Sequence, residues 1–320
     1  MGIMKNNICP ICLKDSKFNY LESHVDNGLE YKLYECEKCR VQFWKPFKNP
    51  GAEWYEKDEN YAGRNVDPDL RPNVNHKRIL NYLKPFKGAV LDIGCGTGNF
   101  LYWAKKAGWK IAGFDFDRNA IKIAKDVFRL ENIEKNNLTD YYKAHQNEKF
   151  DLITFFDFFE HIDNHNEFIE MVKSLLNKSS YIAASMPYRK MAKWLNPGDF
   201  PPRHLTRWDR RTLKEFLERR GFEVLYIKRK TEGLMPIFTR LMRRYAKFFS
   251  FNLVGKYKEK VRRENILIGG KIEKKINAIH GLAKIKNWLI FGLPTLIIWI
   301  LMLPTSKRYV NLYVIAQEKI

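Results

Sequence analysis

The stretch VLDIGCGTGNF, at residues 90–100, decides the fold of this chain. Its apolar start is typical of a buried parallel strand, which here ends in Asp92 and leads into the spacing Gly94-x-Gly96-x-Gly98. Glycines let a ligand approach the backbone closely, and the first turn of a following helix offers N–H groups without intrahelical partners. A dinucleotide-binding turn has the spacing GxGxxG, whereas here the third glycine comes one residue earlier. The turn therefore predicts a site for a nucleotide-like cofactor that is not a typical dinucleotide.

A second acidic segment, GFDFD at 113–117, closes the next predicted strand and sharpens this interpretation. In such sheets a carboxylate at the end of the second strand accepts hydrogen bonds from the hydroxyls of a ribose. Asp115 stands at this place. The alternative is that Asp115 only caps the helix that the pattern predicts at 118–128.

On both sides of this segment the sequence alternates between strand and helix patterns. Strands are predicted at 89–93, 110–115, 150–156, 181–187, 222–230 and 309–317. Helices are predicted at 75–83, 100–108, 118–128, 165–176 and 210–221. This rhythm predicts an α/β fold, with a doubly wound sheet and helices on both of its faces.

At these residues the chain resembles the class I S-adenosylmethionine-dependent methyltransferases. The segments at 90–100 and 113–117 are similar to the first motif and the acidic second strand of that family. FDLITFFDFFEHI (150–162) resembles the fourth-strand segment, which commonly ends in Glu-His. PRHLTRWDRRTLKEFLERRGFEV (202–224) is similar to the stretch after the fifth strand. The resemblance covers about residues 73–230 and the final strand.

The resemblance implies a Rossmann-like sheet of seven strands, whose last strand is antiparallel and lies beside the sixth. It also implies S-adenosylmethionine as the cofactor. The third strand is the weakest match, because ENIEKNN (131–137) is polar and has Asn where an acid is often found near the adenine. The predicted cofactor-binding residues are Asp92, Gly94, Cys95, Gly96, Gly98, Asp115, Phe116, Asn137, Phe156 and Asp157.

Histidines are the candidate catalytic residues, because a hydroxyl acceptor must lose a proton and imidazole is the natural base near neutral pH. His161 follows the fourth strand and lies close to the expected donor, although it can also serve only to hold a loop. His204 lies on the long loop after the fifth strand, where substrate-facing groups are expected. His165 is predicted to lie at the surface. Cys95 is interpreted as a small packing residue within the turn rather than a nucleophile.

The N-terminal segment contains two pairs of cysteines with zinc-ribbon spacing. Four thiolates complete a closed tetrahedral shell, so the site is predicted to be structural rather than catalytic. A redox pair is the alternative. A zinc ribbon ahead of this domain resembles a subgroup linked to saccharide and cell-envelope biosynthesis, and loosely some rRNA guanine methyltransferases. The predicted zinc ligands are Cys9, Cys12, Cys36 and Cys39.

The changes in composition predict five segments along the chain. The N-terminus has no apolar stretch of the kind that a secretory signal needs, so a cytoplasmic location is expected. The predicted segments are a zinc ribbon at 1–48, a linker at 49–72, the methyltransferase domain at 73–230, a basic and apolar insertion at 231–308 and the final strand of the sheet at 309–320.

The insertion is the most unusual segment. The net charge of the chain is +21, and residues 203–287 contain 24 basic against 8 acidic residues. The stretch 233–255 is amphipathic and basic, and 288–304 has no charged residue. Pro294 is expected to break or kink a helix there. The pattern predicts peripheral binding to an anionic inner membrane face, without a single crossing; an oligomer interface or a buried cap is the alternative.

Two functions are consistent with these features. The first is O-methylation, at the cytosolic membrane face, of a lipid-linked saccharide or a similar amphiphilic acceptor. The second is an rRNA or tRNA methyltransferase that uses the zinc ribbon and the basic surface to hold RNA. Single-stranded RNA is typically held by aromatic residues on a polar surface, whereas here the cations flank apolar runs. The membrane function is therefore favoured.

Overall fold

The computed structural model describes residues 8–57, 70–195, 198–249 and 270–319. The chain divides into two compact units. The first contains the residues up to Lys230 together with Asn311–Ile320, and the second contains Thr231–Val310. The glycine turn, the four paired cysteines and the candidate histidines all belong to the first unit.

The strands and helices that the sequence pattern predicts between residues 75 and 230 all occur, in the predicted order, together with further elements that it does not predict. The strands are β1 (Phe18–Asp26), β2 (Leu29–Cys36), β3 (Gln42–Lys45), β4 (Ala89–Ile93), β5 (Lys110–Asp115), β6 (Ile133–Lys135), β7 (Phe150–Phe156), β8 (Leu176–Pro187), β9 (Thr206–Arg207), β10 (Phe222–Thr231) and β11 (Tyr309–Glu318). The helices are α1 (Ala52–Lys57), α2 (Val74–Tyr82), α3 (Asn99–Lys106), α4 (Arg118–Asp126), α5 (Leu138–Ala144), α6 (His165–Leu175), α7 (Arg210–Glu218), α8 (Leu234–Phe249) and α9 (Gly270–Met302).

Seven of these strands form one sheet in the order β10-β11-β8-β7-β4-β5-β6. β4 pairs in parallel with both β5 and β7, and β7 pairs in parallel with β8. β11 runs antiparallel to β8 and lies between β8 and β10. The predicted α/β sheet of seven strands with an antiparallel last strand is therefore confirmed.

Both faces of the sheet are buried, because its central strands carry apolar side chains in alternating directions. Leu152 of β7 belongs to a core that includes Leu101 of α3 and Ala124 of α4. Phe155 of β7 instead contacts Phe168 of α6, with ring centroids 5.0 Å apart. Fully burying one side chain of this size stabilises the fold by about 1.5–3 kcal/mol. Helices on both faces thus hold the ends of the strands in place.

The N-terminal segment forms a second sheet, in the order β1-β2-β3-β9. Its outer strand β9 comes from the loop after β8, and Phe43 of β3 pairs with Thr206 of β9. The backbone N–H of Trp44 also donates to the carbonyl oxygen of Leu205. Phe43 and Trp44 are fully buried. The cysteine-bearing segment and the loop that carries His204 are therefore joined by one sheet.

The predicted linker at 49–72 contains helix α1, and residues 70–72 precede α2. Its residues 58–69, which include Tyr61, lie outside the described part of the chain. Tyr55 of α1 is buried. Helix α1 therefore packs against other residues of the first unit, and its contacts belong to the candidate site.

In the second unit, the described residues form helices α8 and α9 and short flanking segments. The ring of Phe238 on α8 stacks on Trp288 of α9, with centroids 4.6 Å apart, and Arg240 forms an ion pair with Glu232. The predicted amphipathic stretch at 233–255 is helical over Leu234–Phe249, and its residues 250–255 lie outside the described residues.

Helix α9 continues through Pro294, so the expected break at this residue does not occur. Proline removes one backbone hydrogen bond, but the helix runs from Gly270 to Pro294 before it and continues for about two turns after it, to Met302. The hydroxyl of Thr295 also donates to the carbonyl oxygen of Phe291 at 2.6 Å. Among the described residues, one helical segment, Ile285–Met302, is long and apolar enough to cross a membrane by length and composition.

Candidate functional site

The chain turns sharply between β4 and α3, and two glycines make this turn possible. Gly94 has a φ of +69°, and a Cβ atom there would lie 2.8 Å from the ring of Phe158. Gly98, at a φ of +80°, is the N-cap of α3, and a Cβ atom there would lie 2.6 Å from Leu130. Side chains are therefore excluded at both positions, and only glycine fits the turn.

Asp115 ends β5, and the backbone of the turn holds its carboxylate. Oδ2 accepts the N–H of Gly96 at 2.8 Å, and Oδ1 accepts the N–H of Asp117 at 2.9 Å. Burial raises the pKa of this carboxyl to about 6, although the two hydrogen bonds oppose the shift. Asp115 is therefore ionised at neutral pH, and each oxygen keeps a second lone pair that can accept from a ligand.

Asp92 lies behind the turn, where β4 pairs with its two neighbours at Gly113 and Thr154. The hydroxyl of Thr154 donates to Oδ1 of Asp92 at 2.6 Å. Burial raises the pKa of Asp92 to about 8. At neutral pH this carboxyl is mostly protonated, so the two neighbouring acids carry different charges.

A cleft of about 540 Å³ opens where the strands end. β4 lies between β5 and β7, so the strands that follow it in the chain are added first on one side of it and then on the other. In such sheets, ligands bind outside the carboxyl ends of the strands at this switch in strand order. Several predicted cofactor residues line this cleft together, namely Gly94, Asp115, Phe116, Asn137 and Asp157.

The two candidate bases come from different loops and lie side by side. The ring centroids of His161 and His204 are 4.8 Å apart, and His161 also lines the cleft. Nδ1 of His161 is 2.8 Å from the carbonyl oxygen of Arg203, and Nδ1 of His204 is 2.8 Å from Oδ1 of Asp199. Because both partners are acceptors, each Nδ1 carries a hydrogen, and Nε2 is the ring nitrogen that these two contacts leave unassigned.

A family model described as a methyltransferase domain matches residues 64–227, which is half of the chain. The match covers the glycine turn, Asp115 and the two histidines. The chain belongs to this methyltransferase family. The prediction of an S-adenosylmethionine-dependent methyltransferase is thereby confirmed.

Curated relatives of this methyltransferase domain are named as O-methyltransferases. Over 161 residues the chain is 26% identical to the ubiquinone biosynthesis O-methyltransferase of Shewanella halifaxensis, a match that spans 47% of this chain and 63% of the relative. The mitochondrial enzyme of the same name from Saccharomyces cerevisiae is 25% identical over 150 residues, which is 45% of this chain and 47% of the relative. The matches thus span less than two thirds of these relatives.

Solved structures of methyltransferases are also similar to this chain. One is an S-adenosylmethionine-dependent methyltransferase from Archaeoglobus fulgidus, with 22% identity and a TM-score of 0.46, covering 76% of this chain and 90% of that chain. Another is the plantazolicin methyltransferase in complex with SAH, with 13% identity and a TM-score of 0.46, covering 84% of this chain and 93% of that chain. At these scores the likeness adds nothing to the fold that the strand order establishes.

The other predicted cofactor residues of the methyltransferase domain lie outside the lining of the cleft. Asp92 lies behind the glycine turn, and the N–H of Gly96 is directed to Asp115. Cys95 is buried, and burial raises the pKa of its thiol well above the usual value. Phe156 packs on Phe100, with ring centroids 4.9 Å apart. Gly98, as described above, caps α3.

Two polar residues of the cleft are held by their own neighbours. Asn137 is the N-cap of α5, where its side chain accepts the N–H of Asp140. Asp157 follows β7, and its Oδ1 accepts from Ser185 and from Asn311, each at 3.1 Å. Both side chains are therefore oriented before any ligand binds.

His165 is not at the surface, and that prediction is wrong. The residue is fully buried, and burial lowers the pKa of its imidazole to about 3. Its ring packs between Phe47 of the N-terminal segment and Phe159, and its Nε2 lies 3.3 Å from the hydroxyl of Thr206. The first residue of α6 is thus covered by the second sheet, whose position the helix periodicity does not reveal.

Three residues of the site escaped the sequence analysis. Tyr55 lines the cleft, and its hydroxyl lies 3.2 Å from Nδ1 of His161 and donates to the carbonyl oxygen of Arg203. The side chain of Asn49 donates to the carbonyl oxygen of His161 at 2.7 Å. Glu160 is 2% exposed and directly precedes His161. The aromatic residues within a polar linker were the only signal for Tyr55.

The four paired cysteines form one cluster, with all of their sulfur atoms within 4.8 Å of one another. Sγ of Cys9 is 3.7 Å from Sγ of Cys39, and Sγ of Cys12 is 3.9 Å from Sγ of Cys36. A tetrahedral zinc site with bonds of about 2.3 Å separates its sulfurs by about 3.8 Å. The cluster is therefore compatible with a zinc ion.

Proposed function

We propose that this protein transfers a methyl group from S-adenosylmethionine to a hydroxyl oxygen of an amphiphilic acceptor at the cytosolic face of a membrane. The observation that carries the proposal is the pair formed by His161 and His204 beside the cleft that Asp115 lines. One wall of the cleft has groups suited to a nucleoside, and the neighbouring histidines are suited to a hydroxyl.

The residues on the donor side fit the cofactor. Asp115 would accept the ribose hydroxyls, and Gly94 lines the cleft with backbone atoms alone. Phe116 and Asn137 would lie against the adenine. When bound, S-adenosylmethionine supplies a methyl group on a positively charged sulfur. These residues orient that methyl group for in-line displacement, which is the main contribution of an enzyme to such a reaction.

On the acceptor side, the two imidazoles can hold and move a proton. Nδ1–H of His161 donates to the carbonyl oxygen of Arg203, and Nδ1–H of His204 donates to the carboxylate of Asp199. Nε2 is therefore the nitrogen of each ring that would take the proton from the acceptor hydroxyl. His204 is oriented by a carboxylate, in the manner of a histidine base supported by an acid. We assign the hydroxyl of the acceptor to the space beside these two nitrogens.

The names of the relatives support oxygen as the atom that receives the methyl group. Those relatives act in ubiquinone biosynthesis, so their names give no support to a lipid-linked saccharide. A quinone precursor is also an amphiphile with hydroxyl groups. Within the class of amphiphilic acceptors we therefore favour a phenolic head group.

The membrane location rests on the exposed face of α9. Apolar side chains on this helix are exposed rather than packed, and Leu289 and Leu293 are 77% and 64% exposed. The exposed cation Arg244 lies on α8 of the same unit. Apolar area buried in a bilayer contributes about 25 cal/mol per Å², and each basic residue near an anionic surface about 1 kcal/mol. The other exposed apolar residues of the helix and its end are Ile285, Trp288, Leu296, Ile297, Ile300, Leu301 and Leu303.

Methyl transfer is tested with the purified full chain and S-adenosylmethionine carrying a labelled methyl group. Lipid, saccharide-lipid and RNA fractions are offered separately, and we expect label in a phenolic ether of the lipid fraction. His204→Gln should lower kcat by about 100- to 10,000-fold, the usual contribution of a general base. His145→Gln, at a histidine of the same domain outside the cleft, is the matched control. Label in RNA alone would establish the nucleic-acid function instead.

Membrane binding is tested by sedimentation with anionic vesicles. Leu289→Asp combined with Leu293→Asp should leave the protein in the supernatant even at low salt, since two charges would enter the apolar face. The matched control is Val25→Asp with Leu29→Asp, at two exposed apolar positions of the first unit. If the wild-type protein stays in the supernatant at low salt, the membrane location is wrong and an oligomer interface takes its place.

A further inference from the structure

A network of charged side chains leads from the cysteine-bearing sheet to His204. Its members are Glu22 of β1, Arg207 of β9 and Asp199 of the loop before β9. Nη1 of Arg207 donates to Oε1 of Glu22 at 2.7 Å, and Nε of Arg207 lies 3.0 Å from Oδ2 of Asp199. The other carboxylate oxygen of Asp199, Oδ1, accepts from Nδ1 of His204 at 2.8 Å. The contacts are therefore continuous from β1 to the imidazole.

The guanidinium of Arg207 is fixed by several contacts at once. Arg207 is 7% exposed, and its guanidinium lies over the rings of Trp44 and Phe200, 5.3 Å and 5.5 Å from their centroids. Its Nη2 also donates to the backbone carbonyl oxygen of Asp199 at 2.7 Å. A planar guanidinium can stack on aromatic rings and bond to two partners in a fixed geometry, which an ammonium group cannot do. Arg207 therefore holds Asp199 through both its side chain and its backbone.

The charges of this network are balanced within the protein. Glu22 also forms an ion pair with Lys193, so two carboxylates face two cations. Partial burial alone would raise the pKa of Glu22, but hydrogen bonds from Lys193 and Arg207 hold it below its usual value. A buried charge without a partner would be strongly destabilising. Glu22 therefore provides the counter-charge that Arg207 needs, and Arg207 provides one for Asp199.

A histidine base benefits from a neighbouring carboxylate, but the full charge of that carboxylate also has a disadvantage. The carboxylate holds the ring through Nδ1–H, and Nε2 then takes the proton. An unpartnered buried carboxylate favours the protonated imidazole, which cannot accept another proton. A cation on the far side of the carboxylate reduces this effect while it keeps the carboxylate in place. Arg207 has this position, because it lies at Oδ2 of Asp199 whereas His204 bonds to Oδ1.

The other titratable groups near His204 come from a different segment. The ring centroid of His161 is 4.8 Å away, and Glu160 has a carboxylate oxygen within 4.8 Å of a ring nitrogen of His204. Both residues follow β7, whereas Glu22 and Arg207 belong to the N-terminal sheet. Substitutions at Glu22 and Arg207 therefore change the surroundings of His204 without removing a group from the segment after β7.

We infer that Arg207 is a positioning residue for His204, and that Glu22 of the cysteine-bearing sheet holds Arg207 in this role. The inference rests on the proposed function and deepens it, because it gives the N-terminal sheet a part in the deprotonation of the acceptor. Both residues act through Asp199 rather than on the reacting atoms. Arg207 fixes Asp199 and offsets part of its charge, so that His204 stays oriented and neutral. The proton of the acceptor hydroxyl then passes to Nε2 of His204.

The first test is nuclear magnetic resonance on the full chain, labelled at its seven histidines, without cofactor or acceptor. The spectrum of His204→Gln identifies the signals of His204, and their titration with pH is then followed. Asp199→Asn should move the midpoint of this titration to lower pH because an anion is lost. Arg207→Gln should move it to higher pH because a cation is lost, and we expect each shift to be at least about 0.5 pH unit. Arg207→Lys keeps the charge and should shift the midpoint less.

Methyl transfer to the phenolic amphiphile provides the second readout. Arg207→Gln and Arg207→Lys should each lower kcat by about 10- to 100-fold, because the group that orients the base is no longer held. KM for S-adenosylmethionine should stay within about twofold, since the donor side is untouched. Glu22→Gln, at a partly exposed position, should lower kcat by about 3- to 10-fold and keeps the test valid should the Arg207 variants fail to fold.

The matched control is Arg189→Gln. Arg189 is another buried arginine that lies between two carboxylates, Glu35 of β2 at 3.5 Å and Asp209 before α7 at 2.6 Å. It thus joins the N-terminal sheet to the methyltransferase domain as Arg207 does, but through different partners. We expect Arg189→Gln to leave both kcat and the titration midpoint of His204 unchanged.

The outcomes separate the positioning role from the proposed function. The positioning role is overturned if Arg207→Gln gives the same titration of His204 as Arg189→Gln, even where kcat falls, because the contribution of Arg207 is then purely structural. Transfer by the wild type to the phenolic amphiphile would in that case leave the proposed function intact. If the wild type transfers no methyl group to a hydroxyl but the midpoints shift in the two expected directions, the action of Arg207 on His204 is supported and the proposed acceptor is refuted.

Discussion

Replacing Asp115 by alanine is expected to weaken the binding of S-adenosylmethionine by about 30- to 150-fold, because a charged acceptor of the ribose hydroxyls is lost. This factor corresponds to about 2–3 kcal/mol, the range for hydrogen bonds to a charged group. The same change frees the N–H of Gly96, which now donates to Oδ2 of Asp115. Calorimetric titration of the purified protein with S-adenosylmethionine measures the effect.

The control for Asp115→Ala is Asp117→Asn, two residues further along. It removes a carboxylate of equal charge, and Asn retains the capacity to cap α4, whose first N–H groups Asp117 now accepts. We expect this variant to bind within about threefold of the wild type, since Asp117 does not line the cleft and Asn keeps the cap of α4. Tight binding of NAD, with no binding of S-adenosylmethionine by the wild type, would falsify the cofactor assignment.

The pH dependence provides an independent check on Asp115. Its carboxyl has a pKa raised to about 6, and hydrogen bonds from the ribose hydroxyls are much stronger to the ionised form, which also has both oxygens available as acceptors. Affinity should therefore be constant above pH 7 and fall toward tenfold per pH unit below pH 6, as a proton must leave before the ligand binds. In the alanine variant this dependence should disappear, because nothing at residue 115 titrates.

The sequence predicted the sheet well where the residues are apolar and the turns are marked by glycine. The bounds of β4, β5 and β7 agree with the predicted ones, because each is a short apolar run that ends at a charged or glycine residue. The third strand was the weakest match because ENIEKNN is polar, and only Ile133–Lys135 is a strand. Pairing with β5, rather than intrinsic preference, stabilises β6.

Residues whose role depends on contacts between distant segments could not be predicted. Tyr55 lies in a polar linker and reaches His161 across 106 positions of sequence. His165 was expected at the surface, yet it is buried against the second sheet and the segment that follows β3. The hydrophobic periodicity of a segment does not show which distant loop packs over the end of a helix. The burial of His165 and the position of Tyr55 therefore could not be predicted from the sequence. The structure does bring together His161 and His204, the two histidines that the sequence analysis selected as candidate bases.

The second sheet connects the cysteine cluster to the acceptor side of the site. β2 ends in Cys36, β3 pairs with β9, and β9 starts two residues after His204. The cysteine segment also contacts the methyltransferase domain directly, because Asn166 and Arg220 donate to the carbonyl oxygen of Ile11. The donor side, with its glycine turn and Asp115, belongs to the seven-stranded sheet instead. Loss of the cluster should therefore affect the two sides differently.

Replacing Cys36 by serine is expected to abolish zinc binding and to unfold the N-terminal sheet, while binding of S-adenosylmethionine changes by less than about threefold. Structural zinc contributes about 10–16 kcal/mol of apparent binding free energy in small domains, and this segment is too small to fold on packing alone. Because β9 loses its partner strand, His204 should lose its position and methyl transfer should fall with the zinc content. Elemental analysis, calorimetry and the methyl-transfer assay measure the three quantities.

Cys95→Ser is the control for zinc content, since the fifth cysteine lies in the glycine turn and outside the cluster. It should retain one zinc ion per chain, whereas Cys36→Ser should retain almost none. Protein purified without chelator that contains no zinc would refute the metal assignment outright. If Cys36→Ser instead loses cofactor binding together with zinc, the seven-stranded sheet depends on the cluster as well. The separation of the donor side from the acceptor side would then be wrong, and the metal would stabilise the whole first unit.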